Sequence, residues 1–162
     1  MRVTRATAAI AAIMLLFGIS ACGSSSKSSN NSSTGTTADC PFSGSTSQQK
    51  AGSATSNTTK LQQIQPSRSG CIDNLAFNFS PSLAPATGAY NGSAAGNTLV
   101  ISLSNASNEA GSSIDTSKLE YVKSIAVASS GTGTAVTITL DKQRPFLMSS
   151  SNVPASLQVS IG

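Results

Sequence analysis

Histidine is absent from all 162 residues. That removes a Ser-His-Asp or Cys-His nucleophile, a His-ligated zinc and an imidazole general base at once. Charge is scarce as well: ten Lys and Arg stand against six Asp and Glu. Two of the positives, Arg2 and Arg5, lie in the first five residues, and without them the net charge falls from +4 to +2. So weak a balance argues against nucleic acid as a partner and against a basic membrane-binding face. Aromatic residues make up 4% of the chain, too few to line a large cavity. Nor is there a run long enough to cross a bilayer. Residues 8–17 form an apolar stretch of about ten, where a spanning helix needs about 20.

That short apolar stretch has a different use. It follows the basic start Met1-Arg2-Val3-Thr4-Arg5 and ends at Gly18, the layout of an export signal. Arg2 and Arg5 are not adjacent, which disfavours a twin-arginine signal. Next comes Ile19-Ser20-Ala21-Cys22, which resembles a bacterial lipobox. The resemblance implies cleavage after residue 21 and lipid attachment to Cys22. The expected address is the extracytoplasmic face of a cell membrane, with the lipid on Cys22 as the membrane contact.

Residues 23–38 read GSSSKSSNNSSTGTTA, with no aliphatic side chain larger than alanine. Such a segment cannot bury enough surface to offset its ordering entropy. Residues 22–58 are expected to be a disordered tether, after a signal peptide at 1–21 and before a domain at 59–162. A flexible coil of about 17 residues spans on the order of 20–25 Å on average and about 55 Å at full stretch. Lipidation of Cys22 leaves Cys40 and Cys71 as an even pair in an oxidising compartment, and a disulfide between them is expected. It would pin Cys40 to the domain and close a loop of about 30 residues, for which chain entropy suggests about 3–4 kcal/mol.

From residue 60 the sequence alternates. Leu75, Phe77 and Phe79 share one parity, as do Leu99, Ile101 and Leu103, then Val136, Ile138 and Leu140, and finally Leu157, Val159 and Ile161. Period-two patterning puts these twelve side chains on buried strand faces and the intervening polar residues outside. Residues 61–65 form a short candidate strand closed by Pro66, and another surrounds Tyr90. Residues 129–133, Ser-Ser-Gly-Thr-Gly, read as a hairpin turn between strands at 121–127 and 134–140. Residues 105–117 read as a polar loop in which Ile114 returns to the core. Seven or eight short strands without an amphipathic helix predict an all-β fold, a small β-sandwich.

Three stretches carry a family resemblance. Gly70-Cys71-Ile72-Asp73-Asn74-Leu75-Ala76-Phe77-Asn78-Phe79 is similar to the early strand of AMIN-like domains, found in exported proteins and lipoproteins of high-GC Gram-positive bacteria. Residues 121–127 and 134–140 resemble that family's central hairpin, and Arg144-Pro145-Phe146 with residues 154–161 resembles its ending. Asn74, Cys71, Ser156 and Ser160 stand where the family pattern has Arg, an aromatic, Arg and Asp. The resemblance implies a β-sandwich that binds peptidoglycan and positions envelope enzymes or secretion components, with no catalytic residue and no cofactor.

Candidate contacts follow from glycan chemistry, which favours aromatic faces and planar polar side chains. The domain offers Tyr90, Tyr121, Phe146 and Arg144 for this, with Asn91 nearby in sequence, and Tyr90, Tyr121 and Arg144 are the ligand-binding candidates. Arg144 is also placed to pair with Asp141 across a turn. Asp73, Glu109, Asp115, Glu120 and Asp141 show no spacing that suggests a glycosidase pair. Two S-x-x-K matches, Ser24 to Lys27 and Ser47 to Lys50, fall in serine-rich sequence with no K-T-G after them. The expected function is a non-catalytic envelope protein, its domain monomeric, contacting peptidoglycan or an envelope protein. The alternative is a carrier holding a lipid or another apolar ligand.

Overall fold

The computed structural model describes residues 41–53, 58–91 and 96–162. Among them the fold is all-β. The strands are β1 (Gln49–Ala51), β2 (Thr59–Ser69), β3 (Ile72–Ser80), β4 (Ala86–Tyr90), β5 (Thr98–Leu103), β6 (Ala106–Asn108), β7 (Val122–Ser130), β8 (Gly133–Leu140), β9 (Phe146–Asn152) and β10 (Ala155–Ile161). They form two five-stranded sheets, ordered β1-β4-β5-β8-β7 and β6-β2-β3-β10-β9. All neighbours are antiparallel except β2 and β6.

Alternation builds the sandwich. In β3 the odd positions 73 to 79 are buried and the even ones half-buried, and β8 repeats this with its even positions inside. All twelve residues expected in the core are buried, within a single cluster drawn from both sheets. Ile114 packs against that cluster as well. Gly131-Thr132 connects β7 to β8, and Gly131 sits at φ +58°, a backbone shape that glycine takes without a Cβ penalty.

Three features depart from the sequence reading. The sheet begins before residue 59, because β1 pairs with β4 through Gln49–Gly88, Lys50–Thr87 and Ala51–Ala86. β1 has no apolar alternation, and it is anchored partly by a side chain. The Gln49 amide donates to the Phe146 carbonyl and accepts from the Met148 N–H at 2.9 Å, so it acts toward β9 as a short piece of strand. Second, β2 runs on through Pro66 instead of ending there. β6 flanks β2 only at Thr59–Leu61, so among the described residues no strand on the outer side of β2 at Pro66 needs its missing N–H. Third, the 105–117 loop contains β6, tied across the sandwich by the buried Thr134 hydroxyl donating to the Ala106 carbonyl at 2.7 Å.

Candidate functional site

One end of the sandwich gathers the ends of β4 and β8 and the starts of β3, β7 and β9. Tyr90 closes β4, Tyr121 precedes β7, and Arg144 lies on the turn from β8 to β9. The three candidates meet there. The Arg144 guanidinium carbon stands 3.4 Å over the Tyr121 ring centre. The Tyr90 hydroxyl donates to the Arg144 carbonyl at 2.6 Å and accepts from the Arg144 N–H at 3.0 Å.

Asp141 fixes the orientation of Arg144. Its carboxylate takes Nε and Nη2 of Arg144, each at 2.7 Å, the two-pronged geometry for which the planar guanidinium is suited. The same pairing, together with the Lys142 N–H, holds the Asp141 carboxyl below its ordinary range against partial desolvation. Tyr90 is shifted the other way: burial raises its phenol above the usual value and outweighs the bonds to Arg144. The Tyr90 ring also meets Phe146 edge-on, with centroids 5.9 Å apart. Tyr90 therefore acts mainly as a staple for the 141–145 turn, since its hydroxyl is spent on backbone.

A second layer lies beneath. Asp73 is fully buried and in phase with Leu75, Phe77 and Phe79. Its carboxylate accepts the backbone N–H groups of Glu120, Tyr121 and Val122 at 2.7–3.2 Å, and Arg68 Nη1 at 2.7 Å. Arg68 bonds Glu120 as well, and its guanidinium carbon is 5.0 Å from the Tyr121 ring centre. A buried carboxylate thus ties β3 of one sheet to the start of β7 in the other and sets where Tyr121 stands. Arg68 carries no signal of this role in the sequence, and Glu120 stands there only among the acids without a glycosidase spacing. Asp73 carried a readable signal, an acidic residue in step with a core stripe.

Cys71 sits with Gly70 on the two-residue connection from β2 to β3 and is disulfide-bonded. Cys40, its expected partner, lies outside the described residues, as does Cys22. The chain enters at this end too. The Phe42 ring packs where a Cβ on Gly162 would stand, and Ser45 exchanges two backbone bonds with Phe146.

Elsewhere, an open groove of about 350 Å³ runs between β2 and the loop from β6 to β7, lined in part by Gln63, Pro66, Ser113 and Lys118. The space between the sheets is filled by the core side chains. No family model, curated protein or solved structure matches this chain.

Arg144 and Tyr121 form a rigid stacked pair, Asp141 and Glu120 offer acceptors beside it, and Lys123 and Lys142 supply exposed positive charge nearby. Such a surface suits a ligand with both hydroxyls and charged groups.

Proposed function

We propose that this chain is a non-catalytic, lipid-anchored protein of the cell envelope, held at Cys22 and carrying an AMIN-like β-sandwich that contacts peptidoglycan. The observation supporting this reading is the convergence of Tyr90, Tyr121 and Arg144 at one end of the sandwich. A planar cation stacked on a tyrosine and oriented by Asp141 is ready to take the hydroxyls and carboxylates of a glycan bearing peptides. The lipobox-like Ile19-Ser20-Ala21-Cys22 supplies the address, and the serine-rich segment after it supplies reach. A single acyl chain binds a membrane only marginally, so stable anchoring requires the two or three that such a cysteine carries.

Two experiments test this. Fractionation of cells expressing Cys22→Ser should move the protein from membranes to the medium; a membrane-bound Cys22→Ser protein contradicts the anchor. Co-sedimentation of the full chain, in non-ionic detergent, with purified peptidoglycan should deplete the supernatant at low salt. A supernatant left at its starting concentration contradicts the wall contact.

A further inference from the structure

Beyond Leu61, β2 is the edge of its sheet among the described residues. β6 covers it only at Thr59–Leu61, where the Thr59 N–H donates to the Asn105 carbonyl at 2.9 Å and the Leu61 carbonyl accepts the Glu109 N–H at 2.8 Å. In an antiparallel pair every second residue turns its N–H and C=O to its neighbour, and the residues between turn theirs away. The bulge between Leu61 and Gln63 shifts that phase by one, so the outward groups beyond β6 belong to Ile64, Pro66 and Arg68. Pro66 fits this phase, because its absent N–H then leaves no gap in the ladder to β3. The outer row holds the carbonyls of all three residues and the N–H groups of Ile64 and Arg68. Among the described residues none of these groups meets a partner on that side.

This row opens into the groove of about 350 Å³, which has Ile64 and Pro66 on one side and Ala110, Ser113 and Ile114 on the other. The far wall is held in place by its own bonds. The Asn108 side chain accepts the Ala110 N–H at 2.9 Å and donates to the Gly111 carbonyl at 2.8 Å. The Ser112 carbonyl takes the Val127 N–H at 3.0 Å, and Ser113 bridges to Ala126. The loop is thus bonded to β7 in the opposite sheet and leaves the β2 edge uncovered. Ile64 belongs to the core cluster, and Ala110 and Ile114 pack against it, so the floor is apolar.

We infer that this groove docks an extended segment of a partner protein, which adds to the β2 edge as a strand. The support is a match of groups. Outward groups at every second residue, about 6.8 Å apart, are complemented in turn by another extended backbone. β6 already pairs in this way on the same edge, and the docked segment takes up the row where β6 leaves it. Its alternate side chains enter the groove, whose volume and apolar floor suit β-branched aliphatic residues such as valine. Because the wall stands across from the edge, the groove admits a single strand and excludes the folded β2 edge of a second copy. Pro66 removes one donor, keeps the pairing short and guards the edge against open-ended association. The docking uses only the backbone of Arg68 and none of Tyr90, Tyr121 and Arg144, so it succeeds or fails separately from the peptidoglycan contact.

The probe is a capped peptide of about seven residues, alternating valine and threonine, with a lysine at each end. Added to the isotope-labelled full chain in non-ionic detergent, it should shift the Ile64 and Arg68 amide resonances saturably and slow their hydrogen exchange about tenfold. The same peptide with every backbone nitrogen methylated cannot donate and should bind at least about tenfold more weakly. Ser113→Trp, at an exposed position on the wall, fills the groove and should weaken binding likewise; the methylated peptide keeps the test valid if that variant misfolds. Absence of a saturable shift up to about 1 mM peptide overturns the inference, as does undiminished binding of the methylated peptide. Undiminished binding by a folded Ser113→Trp variant overturns it too. Ile64 and Arg68 amides already protected before peptide is added also overturn it. Protection independent of protein concentration would assign the edge to another part of this chain, and protection that grows with concentration to a second copy.

Discussion

Arg144 is held on three sides by two residues far from it in sequence and one close by. Its guanidinium covers Tyr121 at 3.4 Å, and its backbone N–H and carbonyl both bond the Tyr90 hydroxyl. Asp141 grips the guanidinium at two points. A residue that belongs to a turn is thereby as fixed as one in a strand, and a binding group gains from such pre-organisation.

Tyr90 gives that fixation a pH signature. Burial raises its phenol, so the folded state favours the neutral form. The stability this contributes is complete below the unfolded value of about 10 and is lost as pH rises through the higher folded value. In a Tyr121→Phe background, ultraviolet titration of the remaining tyrosine should show a midpoint above 10, with the β8–β9 turn loosening as it ionises. A midpoint at or below 10 contradicts the burial described here.

Asp73 should be the most costly residue of the charged end. Asp73→Ala leaves the Glu120, Tyr121 and Val122 N–H groups without their acceptor and removes the inner partner of Arg68. Breaking a buried ionic contact of this kind costs about 3–5 kcal/mol. Glu120→Ala, which removes an exposed carboxylate, should change stability by less than about 1 kcal/mol. Urea denaturation of the two variants tests the contrast, and equal losses would remove Asp73 from its linking role.

How much of this was legible in the sequence depends on what carries the signal. Strict alternation of large apolar residues exposed the strands that fill the core, from Leu75 to Ile161. β1 and β6, three residues each, carry no such pattern, because backbone pairing and the Gln49 and Thr134 side chains hold them. Pro66 looked like a stop because the open outer side of β2 is a tertiary fact. Tyr90, Tyr121 and Arg144 were readable as residue types, but Arg68 joins them only through the buried Asp73.

Gln49 gives a direct check on that missed strand. Gln49→Ala removes a donor to Phe146 and an acceptor for Met148, each bond worth about 0.5–1.5 kcal/mol. Hydrogen exchange at the Met148 amide should accelerate while the amides of β3 and β10 keep their protection. Unchanged exchange at Met148 would mean that β1 is held by its pairing with β4 alone.

Gly88, paired with Gln49 of β1, packs closely against Met148, Ile101 and Phe146. A Cβ there would lie 2.5 Å from the Met148 sulfur and 3.0 Å from Ile101 Cδ1 and the Phe146 ring. Gly88→Ala should cost about 1–3 kcal/mol through overpacking, seen as a lower thermal midpoint. A neutral result would show that Met148 moves aside freely.

Retention on purified peptidoglycan, compared between the full chain and its Arg144→Ala variant, tests the central claim most directly. Arg144→Ala removes the stacked cation while leaving Tyr90 its backbone bonds, so the fold should persist with an unchanged far-ultraviolet spectrum. The wild type should be retained at low salt and released as salt rises, and the variant should bind about tenfold more weakly or worse. Equal retention of the two proteins would contradict the assignment of this end of the sandwich as the wall contact.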